Sequence, residues 1–189
     1  MPKNFFKIFL IIFFSTSCGF QVIYKDQYLE NSMANQLASI IIRNERNQLA
    51  QTLKNNLSDT LNPDYIKTDS KYFLELEIST SVGPTFTNVS GGSGRNKVTL
   101  KVKYILKNLK TSKQISAGLT EVFDSYDVSA NRFATYTADE FVKNNLTKVV
   151  AQNIRNSIVN DLVEEIKECQ ENIGNKQYQC LVEIEKNNL

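Results

Sequence analysis

From Tyr72 to Ile78 every second residue is apolar. Tyr72, Leu74, Leu76 and Ile78 fall on one side, and Phe73, Glu75, Glu77 and Ser79 on the other. That is the period of a strand with one buried face. Val98, Leu100, Val102, Tyr104 and Leu106 repeat the pattern against Lys97, Thr99, Lys101, Lys103, Ile105 and Lys107. The acids of the first strand and the lysines of the second can face each other across an antiparallel pair. Ile115 to Tyr126 is a third long strand candidate, alternating less cleanly, and the β-branched run Leu37 to Ile42 reads as a short buried strand. Phe20, Val22 and Tyr24 also alternate.

Two other segments carry a helical period. Leu49, Leu53, Leu57 and Leu61 recur every four residues and make one stripe. Asn44 can cap that helix, with Glu45 in its first turn, and "NPD" at Asn62 to Asp64 stops it, because the residue before Pro disfavours helical geometry. From about Arg132 to Glu168, Ala138, Val142, Val149 or Val150, Ile154, Ile158, Leu162 and Ile166 form a second stripe. Such a helix is either broken or extends past the core. Gly174, within Asn172 to Asn175, should end it.

The connections follow from the residues left over. Lys25 to Asn35 is polar and irregular and reads as a linker. Gly83 to Asn96 holds four of the seven glycines and one of the three prolines, so it reads as a long flexible hairpin connection. Asn108 to Gln114 is a second turn. The order strand, helix, three strands, long helix predicts an α+β fold, with two helices packed on one face of a four-stranded mixed or antiparallel sheet. The opposite face would carry Glu75, Glu77, Lys101, Lys103 and Lys107, with Phe73 and Ile105 among them.

The first residues have a different character. Lys3 and Lys7 precede an unbroken apolar run of seven, Ile8 to Phe14, followed by "STSC" at Ser15 to Cys18. The run is much shorter than the ~20 residues that cross a bilayer, and it has the layout of an export signal. A cysteine placed directly after such a run suggests a bacterial lipoprotein, with residues 1–17 removed and Cys18 acylated; the alternative is a plain secretory signal whose cleavage falls near a cysteine. More than one acyl chain gives stable anchoring. "STSC" departs from the usual lipobox, in that Ser15 stands where Leu is expected. The expected organisation is therefore a signal over 1–17, an acylated N-terminus and linker over 18–36, an α+β domain over 37–168, and a polar tail over 169–189.

Removing the signal takes away Lys3 and Lys7 and no acid. It changes 22 basic against 20 acidic residues to 20 against 20. A formally neutral domain argues against nucleic acid as a partner, although a local basic patch remains compatible with it. There is no His and no Trp, which excludes His-based acid/base catalysis and the common His metal sites. No cofactor is expected beyond acyl chains on Cys18. Cys169 and Cys180 could pair as a disulfide in an oxidising periplasm, or stand as free thiols in the tail. "GGSGRN" leads into a strand and not a helix, so a phosphate-loop reading fails. Glu75 and Glu77 share a strand face, but the nearby lysines favour structural ion pairing over acid/base work. No catalytic residue and no metal site is expected.

Several stretches, taken in order, resemble one family. They are "CGF" at Cys18 to Phe20, "NQLAQTLKNNLSDTLNP" from Asn47 to Pro63, "YFLELEI" from Tyr72 to Ile78 and "GRNKVTLKVKYIL" from Gly94 to Leu106. "SYDVSANRFATYTADEF" from Ser125 to Phe141 and the Ala151 to Leu162 helix complete them. The chain is similar in these to the LptE family of lipopolysaccharide-assembly lipoproteins, in its shorter alphaproteobacterial form. The resemblance implies a lipid-anchored protein of the outer membrane, on its periplasmic side. It would plug an LptD-type β-barrel, help it assemble, and contact lipopolysaccharide. Arg95 and Lys97 are the local cations at the end of the Gly83–Asn96 stretch, roughly where the family's lipid-contacting basic residues lie; Arg95 is matched by its position in the hairpin, and the alternative is that it is solvated or touches the barrel wall. A guanidinium can hold a phosphate in bidentate fashion. The alternative is a periplasmic lipid- or substrate-binding lipoprotein accessory to a transporter. Replacing Cys18 by Ala is expected to release the mature domain from membranes in an envelope fractionation; unchanged retention would count against acylation.

Overall fold

The computed structural model describes residues 27–43, 47–87 and 93–173, with side chains over 32–43, 47–85 and 94–165. The chain divides into two compact units, residues 1–32 and 33–189. The elements are α1 (Gln27–Ala38), β1 (Ile40–Ile42), α2 (Gln48–Leu61), β2 (Tyr72–Thr87), β3 (Ser93–Asn108), β4 (Gln114–Asp127) and α3 (Arg132–Ile173). The strands form one mixed sheet in the order β1-β2-β3-β4. β1 runs parallel to β2, and the other neighbours are antiparallel.

The alternation of β3 becomes the floor of the core. Val98, Leu100, Val102, Tyr104 and Leu106 are each at most 4% exposed. Tyr72 and Leu74 of β2 join them, with Leu76 and Ile78 partly buried. Two helices cover this face as expected. α2 contributes Leu53, Leu57 and Leu61, and α3 contributes Val142, Leu146, Val150, Ile154, Ile158 and Leu162. Of the two adjacent valines it is Val150 that is buried, and Val149 is exposed. A polar link fixes the two helices to each other: Asn56 Nδ2 donates to the fully buried Thr147 Oγ1 at 2.8 Å, and Thr147 Oγ1 donates to the Asn144 carbonyl at 2.7 Å. Ser116 Oγ donates to Asp161, tying β4 to α3.

Local chemistry sets the ends. Asn47 caps α2, its Oδ1 accepting the Leu49 amide at 2.9 Å. After the helix, Asn62 donates to the Ile66 carbonyl and accepts the Ile66 amide, closing the turn at the NPD sequence. Asn108 Oδ1 accepts the amides of Lys110 and Thr111 and so shapes the β3–β4 turn. Asn131 Oδ1 accepts the Phe133 amide at 3.0 Å at the start of α3.

The structure corrects three expectations. A helix, α1, occupies most of the segment read as a linker, and it extends through Leu37 and Ala38, so the strand is confined to Ile40–Ile42. Met33 and Leu37, four residues apart, are buried in the core, and this pair outweighs the polar composition around them. The α2 cap is Asn47, not Asn44, which lies outside the described residues. Most of Gly83 to Asn96 is strand: Gly83 pairs with Lys97 and Pro84 with Asn96, and register shifts on either side of Phe86 absorb the proline. α3 takes the second of its two expected forms, one unbroken helix from Arg132 to Ile173 that extends past the core. Its 42 residues span about 63 Å. Buried positions run only from Val142 to Leu162 among its described side chains, so the helix overshoots the core at its N-terminal end.

Gly118 permits one close contact. A Cβ there would lie 2.7 Å from the Tyr104 hydroxyl oxygen and 2.9 Å from its ring, on the strand directly paired with it. Gly118→Ala is expected to cost about 1–3 kcal/mol in chemical denaturation. Leu53→Asp places an unpaired charge at a fully buried position and is expected to abolish the cooperative thermal transition; a melt at the wild-type temperature would refute the assignment of this helix face.

Candidate functional site: the charged face of the sheet

The face turned away from the helices is built by the alternate residues of the same strands. β2 supplies Glu75 and Glu77, β3 supplies Arg95, Lys97, Lys101, Lys103 and Lys107, and β4 supplies Leu119, Glu121, Phe123 and Asp127. The pairing anticipated from sequence is present. Lys103 Nζ lies 3.3 Å from Glu77 Oε2, its direct cross-strand partner, and Lys107 Nζ lies 2.7 Å from Glu75 Oε2 on the diagonal. A third pair, Lys101 with Glu121 at 3.0 Å, joins β3 to β4. Glu121 was not singled out from the sequence, because the weaker alternation of β4 hid which of its residues faces the lysines. Each acid of the Glu75/Glu77 pair sits against its own lysine, an arrangement for holding strands in register. The pairs are solvent-exposed, so each contributes about 0.2–1 kcal/mol.

The two cations expected to meet the anionic lipid, Arg95 and Lys97, lie toward the hairpin end of this face. Arg95 is opposite Asp127 in register; its Nε donates to Ser125 Oγ at 3.0 Å and lies 3.7 Å from an Asp127 carboxylate oxygen. Lys97 places its ammonium 3.8 Å from the centre of the Phe123 ring, a cation–π contact. The structure thus puts Arg95 and Lys97 on one face, two positions apart, each engaged by β4. Cys18 and Cys180 lie outside the described residues; Cys169 is in the helical backbone of α3, and its side chain is outside them.

Among the described residues, hollows border the sheet. One, of about 610 Å³, is lined by Arg43, Glu75, Glu77, Lys103, Ile105 and Leu119, and so lies on the charged face. A smaller one, of about 250 Å³, lies where Asn47 and Thr52 of α2 approach Thr80, Glu140, Lys143 and Asn144. Lys143 donates to Asp139 at 2.6 Å and to Glu140 at 3.4 Å. The hydrogen bond that Lys143 donates to Asp139 raises the lysine pKa above its ordinary value, outweighing the opposing effect of burial, and the charges of both acids add to it. Among the described residues no cluster of acidic or cysteine side chains could hold a metal ion, and no helix is long and apolar enough to cross a membrane.

No protein-family model matches the chain, and no curated protein matches it in sequence. Solved structures do match. A Caulobacter crescentus protein proposed to be a lipoprotein superposes with a TM-score of 0.57 at 17% identity, over 70% of this chain and 96% of the other. The rare lipoprotein B of Shewanella oneidensis superposes with a TM-score of 0.52 at 14% identity, over 66% and 95%. These likenesses establish a common fold, and in both cases the shared part is nearly the whole of the other chain.

Two measurements probe the site. Because the folded-state pKa of Lys143 is raised, its ion pairs stabilise the fold fully below the ordinary value of 10.5 and lose that contribution as pH rises through the folded value. Lys143→Met is expected to flatten the fall in melting temperature as pH rises above about 10.5. Reversing both charges of the Glu77–Lys103 pair should restore most of the stability lost in either single reversal, with a coupling of about 0.2–1 kcal/mol in a double-mutant cycle.

Proposed function

We propose that the chain is a non-enzymatic outer-membrane lipoprotein of the LptE type, tethered on the periplasmic side through acylated Cys18. It would bind an LptD-type β-barrel, plug its lumen and help it assemble for lipopolysaccharide insertion into the outer leaflet. Arg95 and Lys97 would meet the anionic lipid. The observation that carries this reading is the fold shared with a rare lipoprotein B over 95% of that chain, which agrees with the order of motifs in the sequence. The charged face supports it on physical grounds. A wide barrel has a polar, water-filled interior, and a plug needs a surface that is hydrophilic without a large net charge. The Glu75–Lys107, Glu77–Lys103 and Lys101–Glu121 pairs give such a surface, because each neutralises itself.

The decisive experiment is purification of the native protein from detergent-solubilised envelopes. A barrel-sized outer-membrane subunit is expected to accompany it. Recovery with an inner-membrane transporter component instead would replace this reading by that of a transporter accessory. Within the complex, Arg95→Glu is expected to weaken lipopolysaccharide binding about tenfold, the scale of one lost charge-assisted hydrogen bond, while the barrel still co-purifies; equal binding by the variant would remove Arg95 from the contact.

A further inference from the structure

The sheet has two unequal outer edges. β1 covers only Tyr72 to Leu74 of β2, and the rest of that edge carries the usual protections: Gly83, Pro84 and the register shifts beside Phe86. β4 is protected only at its start, where Gly118 and a register shift beside Ile115 lie, and from Leu119 to Asp127 it has no glycine, proline or shift. Among the described residues no strand pairs with its outer edge. Its fourteen residues contain no lysine, arginine or proline, and its register with β3 is regular from Ser116 to Asp127. Natural edge strands that are left long and regular invite another strand.

The side chains of that edge define what would fit. On the charged face β4 presents Leu119 at 59% exposure and Phe123 at 65%, with Glu121 between them. The strand holds three acids, Glu121, Asp124 and Asp127, and no base. The cations that meet Glu121 and Asp127 come from β3, on the inner side of the strand. A second copy of β4 would bring acid toward acid, which is unfavourable in cross-strand pairs. A strand with a basic residue flanked two positions away by apolar ones would meet Glu121, Leu119 and Phe123 in turn.

We infer that the outer edge of β4 is a strand-addition site for an extended segment of a partner protein, basic and apolar at alternate positions. The partner's backbone would take the outward-facing amides and carbonyls of β4 from Leu119 to Phe123, which alternate with those bonded to β3; beyond them the Ser125 amide already donates to Asp124 Oδ1 at 2.7 Å. Its side chains would supply the selectivity, as in other cases of β-augmentation. The inference is independent of the barrel reading, because it concerns the isolated chain and a peptide-scale ligand.

The test uses the full 189-residue chain in detergent and a short peptide alternating valine and lysine. Amide hydrogen exchange is the readout. With the peptide at ten times its dissociation constant, alternate amides of β4 are expected to exchange about tenfold more slowly, and those of β2 to be unchanged. A peptide with glutamate in place of lysine should bind at least about fivefold more weakly. Glu121→Lys should reverse that preference. Phe123→Thr, which leaves every charge in place, should weaken the lysine peptide, so the idea stays testable if one variant folds poorly. Three results would overturn it: edge amides of β4 already slow in the free chain, protection that falls on another element, or self-association of the free protein that protects β4.

Discussion

A strand can serve a core and a charged surface together only if its register is fixed, and β3 is where this chain fixes it. Its even-numbered residues from Val98 to Leu106 are buried, and its odd-numbered ones carry four lysines, at 97, 101, 103 and 107. A slip of one residue would turn those lysines into the helices and the apolar set into water. The cost of that error is far larger than any single ion pair supplies, so hydrophobic burial sets the register and the Glu–Lys pairs follow from it. The reverse dependence fails on magnitude, since exposed pairs of this kind contribute at most about 1 kcal/mol each.

α2 and α3 complete what β3 begins. The four-residue leucine spacing of α2 and the Val142–Leu162 stripe of α3 meet above the sheet, and Asn56, Thr147 and Asn144 satisfy one another where the helices touch. A buried hydroxyl with both a donor and an acceptor in place adds specificity at little energetic cost. α3 then continues outward past this contact, so that Phe133, Tyr136 and Phe141 are left exposed on its first turns. The barrel-plug reading needs such a slab, apolar within and hydrophilic on its open side.

Most of the sheet and both covering helices were legible because alternation and four-residue spacing are direct images of burial. Tyr72 to Ile78, Val98 to Leu106 and the α2 leucines needed only those periods, and the Glu–Lys contacts followed from counting across a hairpin. The misreadings share a cause. α1 has just two buried apolar side chains among its described residues, Met33 and Leu37, too few to impose a period on a polar segment. The Gly83–Asn96 stretch has turn-forming residues but pairs as strand, because backbone hydrogen bonds to a neighbour already in place override local preference. On the charged face, Glu121 and Phe123 were hidden because β4 has polar residues on both of its sides: Ser116, Thr120 and Asp124 occupy core-side positions. Arg95 and Lys97 were found by position in the hairpin, but their engagement by Asp127, Ser125 and Phe123 depends on β4 register, which the alternation there was too weak to give.

The far end of the β2–β3 hairpin lies past the buried rungs of the core. Its core-side positions are Val82, half exposed, then Pro84 and Asn96, whose Nδ2 donates to the Tyr126 hydroxyl at 3.3 Å. Backbone bonds there have almost no greasy cover. Opening them costs less than global unfolding, because little apolar surface is released. The hairpin therefore frays from its outer rungs inward while the rungs under α2 and α3 stay closed, and the ribbon bearing Arg95 can reshape against a bulky guest without the domain beneath it melting.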